Sequence, residues 1–161
     1  MDPEKHLSDL LNEFKTGMLI TRHGGRLHAR PMTLAGLSTG PEIYLATNIE
    51  SPKVQEIEAN PEVLLTLQSN SQFASLDGTA RISRDRAMID KLWSDAWRMW
   101  FPGGKDDPQL CLLEIEPRGG EYWDNSGANG IRYAIEGMKA VFQGRTPQTD
   151  QDQHAKVDLQ G

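Results

Sequence analysis

The chain has very few of the residues that crosslink a fold or bind a metal. Cys111 is the single cysteine among 161 residues, which excludes a disulfide framework and a cysteine-based zinc site. The four histidines, His6, His23, His28 and His154, do not stand at a zinc-ligand spacing to another ligand. We therefore expect no metal site.

Long apolar runs and clusters of basic residues are also missing. No segment approaches the roughly 20 apolar residues that a transmembrane helix needs. The formal net charge is -6, and Arg22, Arg26 and Arg30 are the nearest that basic residues come to a group. This charge argues against nucleic acid or a membrane as the main partner. The first residues lack the features of a signal peptide, so we expect a cytoplasmic protein.

What the sequence does contain is a series of short strands and a few helices. Capping residues, prolines and helical spacing predict helices at about 3–16, 52–59, 85–100 and 131–142. Alternation and turn residues predict strands at about 18–22, 26–34, 42–47, 63–68, 73–82 and 110–116, the last resuming near 120–123. The domain is expected to span residues 1–144. The polar composition of residues 145–161 predicts a disordered tail.

The number and order of these elements indicate the fold class. The strands outnumber the helices, so a doubly wound parallel sheet, which needs a helix after nearly every strand, is disfavoured. A tight turn at Gly24-Gly25 joins the first two strands and makes them antiparallel. We predict a mainly β (α+β) protein, a six-stranded antiparallel Greek-key split barrel with flanking helices, because closure removes exposed strand edges.

The first candidate site is the junction between the third strand and the second helix. The strand ends at Thr47, and Ser51 and Lys53 stand at the start of the helix. A helix N-terminus presents free N–H groups and the positive end of the helix dipole, so a phosphate would suit this position. The alternative is that Ser51 only caps the helix and Lys53 points into solvent. Glu50 beside them counts against an anion.

The second candidate lies in the second strand, at Arg30-Pro31-Met32. Proline removes a backbone donor, which suits a strand edge or a stretch that faces a ligand. Arg30 has the forked donors that clamp a phosphate, although a surface arginine would look the same in the sequence.

Together these segments resemble the FMN-binding split-barrel family that includes the pyridoxamine 5′-phosphate oxidases. Three later segments resemble the general stress protein branch of that superfamily. These are Asp77-Gly78-Thr79-Ala80, the stretch from Trp100-Phe101-Pro102 to Pro108, and Glu121-Tyr122-Trp123-Asp124.

The resemblance implies a homodimer with FMN at the interface. It implies a phosphate held by Arg30, Ser51 and Lys53, and an isoalloxazine ring facing the main chain of Pro31, Met32 and Thr33, with Ala46 and Thr47 lining the same pocket. It further implies that the loop bearing Trp100 and Phe101 comes from the partner chain. Two roles stay open for Trp123, a contact with the flavin and packing in the dimer.

Two departures limit what the resemblance implies about activity. Pro52 stands where the oxidases carry an arginine, and the tail lacks the arginine and histidine that grip pyridoxamine phosphate. Pyridoxamine phosphate oxidation is therefore not expected. Two readings stay open: an FMN-dependent oxidoreductase, with NAD(P)H as a possible donor, and a flavin carrier or sensor without turnover. Haem binding is a third, for which His154 is the only loose candidate ligand.

Overall fold

The computed structural model describes residues 2–37, 42–129 and 153–160, together with Met138, Ala140, Gln143, Gly144 and Thr146. Its helices are α1 (Pro3–Glu13), α2 (Pro52–Ala59) and α3 (Arg86–Leu92), with two short 3-10 helices at Asp95–Met99 and Gly104–Asp106. Its strands are β1 (Thr16–His23), β2 (Arg26–Leu37), β3 (Ile43–Asn48), β4 (Glu62–Gln68), β5 (Gln72–Ser83), β6 (Leu110–Asp124) and β7 (His154–Asp158).

Six of the described strands close into an antiparallel barrel. Their order is β3-β2-β1-β4-β5-β6, and pairing of β3 with β6 completes the circle. Strands β1 to β3 follow one another, and β4 returns to lie beside β1, which is a Greek-key connection. Gly24 and Gly25 form the first hairpin turn, both at positive φ. The predicted fold class is confirmed.

The barrel interior is filled by the inward-facing residues of every strand. Leu19, Leu65, Leu76 and Leu113 are fully buried, each on a different strand. Helix α1 adds its own apolar residues to the same core. A second, smaller core lies outside the barrel, between β3, β6 and the residues around α3. No helix in the described part of the chain is long and apolar enough to span a bilayer.

The long helix predicted at 85–100 is wrong in its second half. Helix α3 ends at Leu92, because Trp93 and Ser94 both have extended ψ angles of 135°. The chain then resumes as a 3-10 helix, in which the Ser94 carbonyl accepts from the Trp97 N–H. Serine and aspartate favour caps and turns over helix interiors, which explains the break at Ser94-Asp95. The aromatic side chains there do not form one helical stripe.

Strand β6 is continuous where the sequence predicted an interruption. Pro117 lies opposite Gly78 of β5, where the β5–β6 register shifts in a bulge. A bulge leaves one residue outside the regular ladder, so the missing N–H of a proline is tolerated at this position.

The prediction of a disordered tail is wrong for five of its residues. His154–Asp158 form β7, which pairs antiparallel with the second half of β6. Val157 of this strand is buried in the barrel core. The strand therefore satisfies the backbone of β6 and buries an apolar side chain. Of the helix predicted at 131–142, only Met138 and Ala140 lie within the described residues, and both are helical.

Candidate functional site

The barrel opens where β2 and β3 separate. Their pairing runs from Leu37 to Leu34 on β2 and ends opposite Leu45 on β3. Beyond that point residues 31–33 pair only with β1, and residues 46–48 pair only with β6. Pro31 suits this place because it has no N–H to leave unpaired.

A cavity of about 560 Å³ fills this opening. Its lining residues are Pro31, Met32, Thr33, Ala46, Thr47, Asn48, Lys53, Trp97, Met99, Trp100 and Phe101. The volume falls within the usual range for small-molecule and cofactor sites. Eight of the eleven predicted site residues are among them, namely Pro31, Met32, Thr33, Ala46, Thr47, Lys53, Trp100 and Phe101.

 The other three, Arg30, Ser51 and Trp123, do not line the cavity.

One wall of the cavity is aromatic and comes from the segment after α3. Trp97 and Phe101 are buried in the smaller core, whereas Trp100 is 57% exposed and Met99 is 79% exposed at the rim. The Trp97 carbonyl accepts from the N–H groups of Trp100 and Phe101 and so shapes this wall. The resemblance predicted that the loop with Trp100 and Phe101 reaches a partner's cavity. In the structure the loop lines the cavity of its own chain, because Phe101 is anchored in its own core.

Sequence reasoning missed three of the lining residues. Trp97 was assigned to the core, and it is indeed buried, yet part of it faces the cavity. Asn48 lies within the predicted strand–helix junction but was given no role of its own, and Met99 was not singled out. The sequence signal for Met99 was its place directly before the Trp100-Phe101 motif, while Asn48 directly follows Thr47 at the end of β3.

At the other end of the cavity, α2 begins. Ser51 is the N-cap of α2, but its side chain makes no capping hydrogen bond, and its buried hydroxyl oxygen has no partner among the described residues. The turn before it is held by Asn48, whose carbonyl accepts from the Ser51 N–H and whose side-chain oxygen accepts from the Glu50 N–H. The alternative in which the Ser51 side chain serves only to cap α2 is therefore not observed.

Lys53 is a half-buried cation at this helix start. Its Nζ donates to Thr47 Oγ1 at 3.0 Å, and no carboxylate lies within 4 Å of it in the described parts of the chain. Burial lowers the pKa of the Lys53 ammonium, and the nearby positive charge of Arg30 lowers it further. An anion at this position would relieve both effects.

Arg30 lies beside this helix start but is held by its own partners. Its guanidinium donates to Thr21 Oγ1 at 2.7 Å and to Glu56 Oε2 at 2.8 Å. Glu56 is 7% exposed and also accepts from the Thr21 hydroxyl at 2.6 Å. These contacts, the Thr21 hydrogen bond foremost, lower the pKa of the Glu56 carboxyl to about 2 despite its burial. No sequence pattern pointed to Glu56.

His28 belongs to the same cluster and not to the cavity lining. Its Nδ1 lies 3.0 Å from Glu56 Oε1, and its ring stacks on that of His23 with centroids 5.4 Å apart. The prediction that His28 shares a strand face with Arg30 is confirmed by their common partner, Glu56.

Trp123 lies in a different part of the chain's surface. It pairs with Phe73 of β5 on one side and with His154 of β7 on the other, and it stacks on the His154 ring with centroids 5.1 Å apart. Strand β6 contacts the cavity strand β3 at its other end, where Cys111 pairs with Thr47. Within one chain Trp123 is therefore not brought to the cavity.

The cavity thus combines an apolar and aromatic body with a cationic end. Among its described lining residues, Lys53 is the only titratable side chain, so the walls offer no carboxylate or histidine for proton transfer. Such a site suits a planar apolar ligand that carries an anionic group at one end.

Known proteins show the same fold and a related sequence. The family described as Pyridoxamine 5'-phosphate oxidase like matches residues 2–148. General stress protein 26 of Bacillus subtilis (strain 168) is 37% identical over 121 residues, which cover 72% of this chain and 84% of that protein.

Two solved structures extend the comparison to the whole fold. A protein of Jannaschia sp. CCS1, assigned to general stress protein 26, has a TM-score of 0.78 at 30% identity, covering 98% of this chain and 99% of that one. The general stress FMN/FAD binding protein of Xanthomonas citri has a TM-score of 0.68 at 28% identity, covering 78% and 92%. The chain therefore belongs to the pyridoxamine 5′-phosphate oxidase-like family, in its general stress protein branch.

Proposed function

We propose that the chain binds FMN in the cavity between β2 and β3. The observation that carries this proposal is Lys53, a half-buried lysine that lines the cavity without a carboxylate partner in the described residues. The flavin phosphate would supply the missing anion, and the buried Ser51 hydroxyl, which has no partner in the described parts of the chain, would gain an acceptor. The Xanthomonas citri relative, an FMN/FAD binding protein, supports a flavin as the ligand.

The other lining residues fit the remainder of the cofactor. The main chain of Pro31, Met32 and Thr33 would face the isoalloxazine ring, with Ala46 beside them and the Trp100-Phe101 wall at the far side. Thr47 would contribute its hydroxyl at the phosphate. Arg30 would add positive potential from behind Lys53, although Glu56 offsets much of its charge.

Bound flavin would supply hydride or single-electron transfer, which the protein side chains lack. The residues of this chain would bind the phosphate, orient the ring and exclude water from one face. We propose a flavin-dependent oxidoreductase that takes electrons from NAD(P)H; the second candidate is a flavin carrier or sensor, favoured by the absence of a carboxylate or histidine among the described lining residues. The oxidation of pyridoxamine phosphate is not proposed, because Pro52 replaces the arginine of the oxidases.

The visible spectrum of the purified protein, followed by anaerobic addition of NADH or NADPH, tests these candidates. We expect the absorbance bands of oxidised flavin. Fast bleaching of these bands by either nucleotide would identify a reductase. A flavin that stays oxidised would favour the carrier. A Soret band would mean haem, and a colourless protein that rejects added FMN would contradict the proposal.

We further propose that two copies pair through the outer face of the barrel. Met18, Leu64, Phe73 and Trp123 are each 37–39% exposed on neighbouring strands, so this face presents four large apolar side chains that a partner could cover. Met18 pairs directly with Pro31 of the cavity wall, so this face is continuous with the cavity. A second copy on this face would bury these side chains and bring Trp123 close to the cofactor.

Light scattering at micromolar concentration tests this pairing. We expect the mass of a dimer. A monomer that still holds FMN tightly would contradict an interfacial site. Cytoplasmic location stays a prediction.

A further inference from the structure

Asp107 connects the aromatic wall of the cavity with the turn at its cationic end. It is 9% exposed, and each of its carboxylate oxygens accepts from a backbone N–H. Oδ2 accepts from Gly103 at 3.0 Å, two residues after Phe101, and Oδ1 accepts from Gln109 at 2.9 Å. The carboxylate therefore joins the two ends of the loop that follows the aromatic wall.

The loop packs closely around this carboxylate. A Cβ atom added at Gly103 would lie 3.1 Å from Asp107 Cβ and from its Oδ2. Gly104 has a φ of 71° and donates its N–H to the Phe101 carbonyl, while the Asp107 N–H donates back to the Gly104 carbonyl. The position of Phe101 is thus tied to the geometry of Asp107.

Gln109 carries the connection to the other end of the cavity. Its backbone carbonyl accepts from the Ile49 N–H at 2.8 Å. Its side-chain amide accepts from Asn48 at 3.1 Å and donates to Glu50 at 3.2 Å. These contacts hold the turn between Thr47 and Ser51, which leads into α2.

We propose that Asp107 is a positioning residue that sets the aromatic wall and the cationic end of the cavity relative to each other. This inference rests on the proposed function, because the ligand that uses both ends is FMN. Riboflavin has no phosphate and so does not use the cationic end. Loosening Asp107 therefore weakens both flavins, and it weakens FMN more.

The test replaces Asp107 by asparagine and measures the dissociation constants of FMN and riboflavin. An asparagine side chain can accept only one of the two N–H groups and turns its own donor toward the other. We expect about a tenfold loss of affinity for riboflavin and a larger loss of affinity for FMN, since small displacements in a preorganised site are costly.

Asp106→Asn is the matched control in the same loop. The Asp106 side chain is 92% exposed, and its partner is Arg86 on α3. We expect both flavins to bind this variant within about twofold of the wild type, because surface substitutions away from special contacts change little. Equal affinities for Asp107→Asn and the wild type would overturn the inference, whereas a wild type that binds neither flavin would overturn the proposed function instead.

Hydrogen exchange on the ligand-free protein gives a readout that does not depend on flavin. Asp107→Asn should speed exchange at Ile49, whose N–H donates to the Gln109 carbonyl, and Asp106→Asn should leave it unchanged. Unchanged exchange at Ile49 in Asp107→Asn would contradict the connection between the two ends. Gln109→Ala is the second variant, in case Asp107→Asn binds flavin poorly because its fold is unstable. Gln109→Ala should weaken the binding of FMN and spare the binding of riboflavin.

Discussion

Replacing Lys53 by methionine should weaken FMN by roughly 10–150-fold and leave riboflavin nearly unchanged. Hydrogen bonds to charged groups contribute about 1.5–3 kcal/mol, which corresponds to that range of affinity. Methionine keeps the apolar stem that lines the cavity, so the ring end is preserved. The loss falls on FMN alone because only FMN carries the phosphate.

The measurement is a titration of the cofactor-free protein with each flavin, followed by flavin fluorescence. Lys91→Met is the matched control, since Lys91 is an exposed lysine at the end of α3 and the substitution removes the same charge. Both flavins should bind the control like the wild type. Equal weakening of FMN and riboflavin by Lys53→Met would place the phosphate elsewhere.

Replacing Glu56 by alanine should cost about 3–5 kcal/mol of unfolding free energy, the usual result of removing one partner of a buried ion pair. The Glu56 carboxylate is the shared acceptor of Arg30 and Thr21, and Thr21 is 1% exposed. Without it, the guanidinium loses its counter-charge and the buried hydroxyl loses its acceptor. Urea unfolding at pH 7 measures the loss.

Glu58→Ala is the control on the same helix, because Glu58 is exposed. Its substitution should change the unfolding free energy by less than about 0.5 kcal/mol. Similar losses for the two variants would show that the Glu56 cluster does not stabilise the fold.

The same carboxylate makes stability depend on pH. The pKa of Glu56 falls from an ordinary 4.5 to about 2 in the folded protein. A group with a depressed pKa stabilises the fold above its unfolded pKa, and this contribution disappears as the pH falls from about 4.5 to about 2. At 1.36 kcal/mol per pKa unit, the difference amounts to about 3 kcal/mol. Wild-type stability should therefore drop in this acid range by more than that of Glu56→Gln.

Much of the fold could be predicted from the sequence because its signals are local. Alternation along β5 and the Gly24-Gly25 turn are set by neighbouring residues, and they gave the strands and the first hairpin. Strand β7 has no such signal, since its five residues are mostly polar and become a strand only against the edge of β6.

The lining residues that could be predicted are neighbours in the sequence as well as in the fold. Pro31 to Thr33 and Ala46 to Lys53 are consecutive stretches, and the fold brings both to one opening. Glu56 was missed because its role depends on Thr21 and Arg30, which reach it only through the packing of α2 on the barrel. Asp107 was missed for a similar reason: its partners are backbone N–H groups, which no side-chain pattern reveals.

The most direct test of the phosphate-binding end is the ratio of FMN to riboflavin affinity in the wild-type protein, measured by titration in phosphate-free buffer. A phosphate bound at Lys53 and the start of α2 should make FMN at least about tenfold tighter than riboflavin. Equal affinities for the two flavins, or no binding of either, would contradict it.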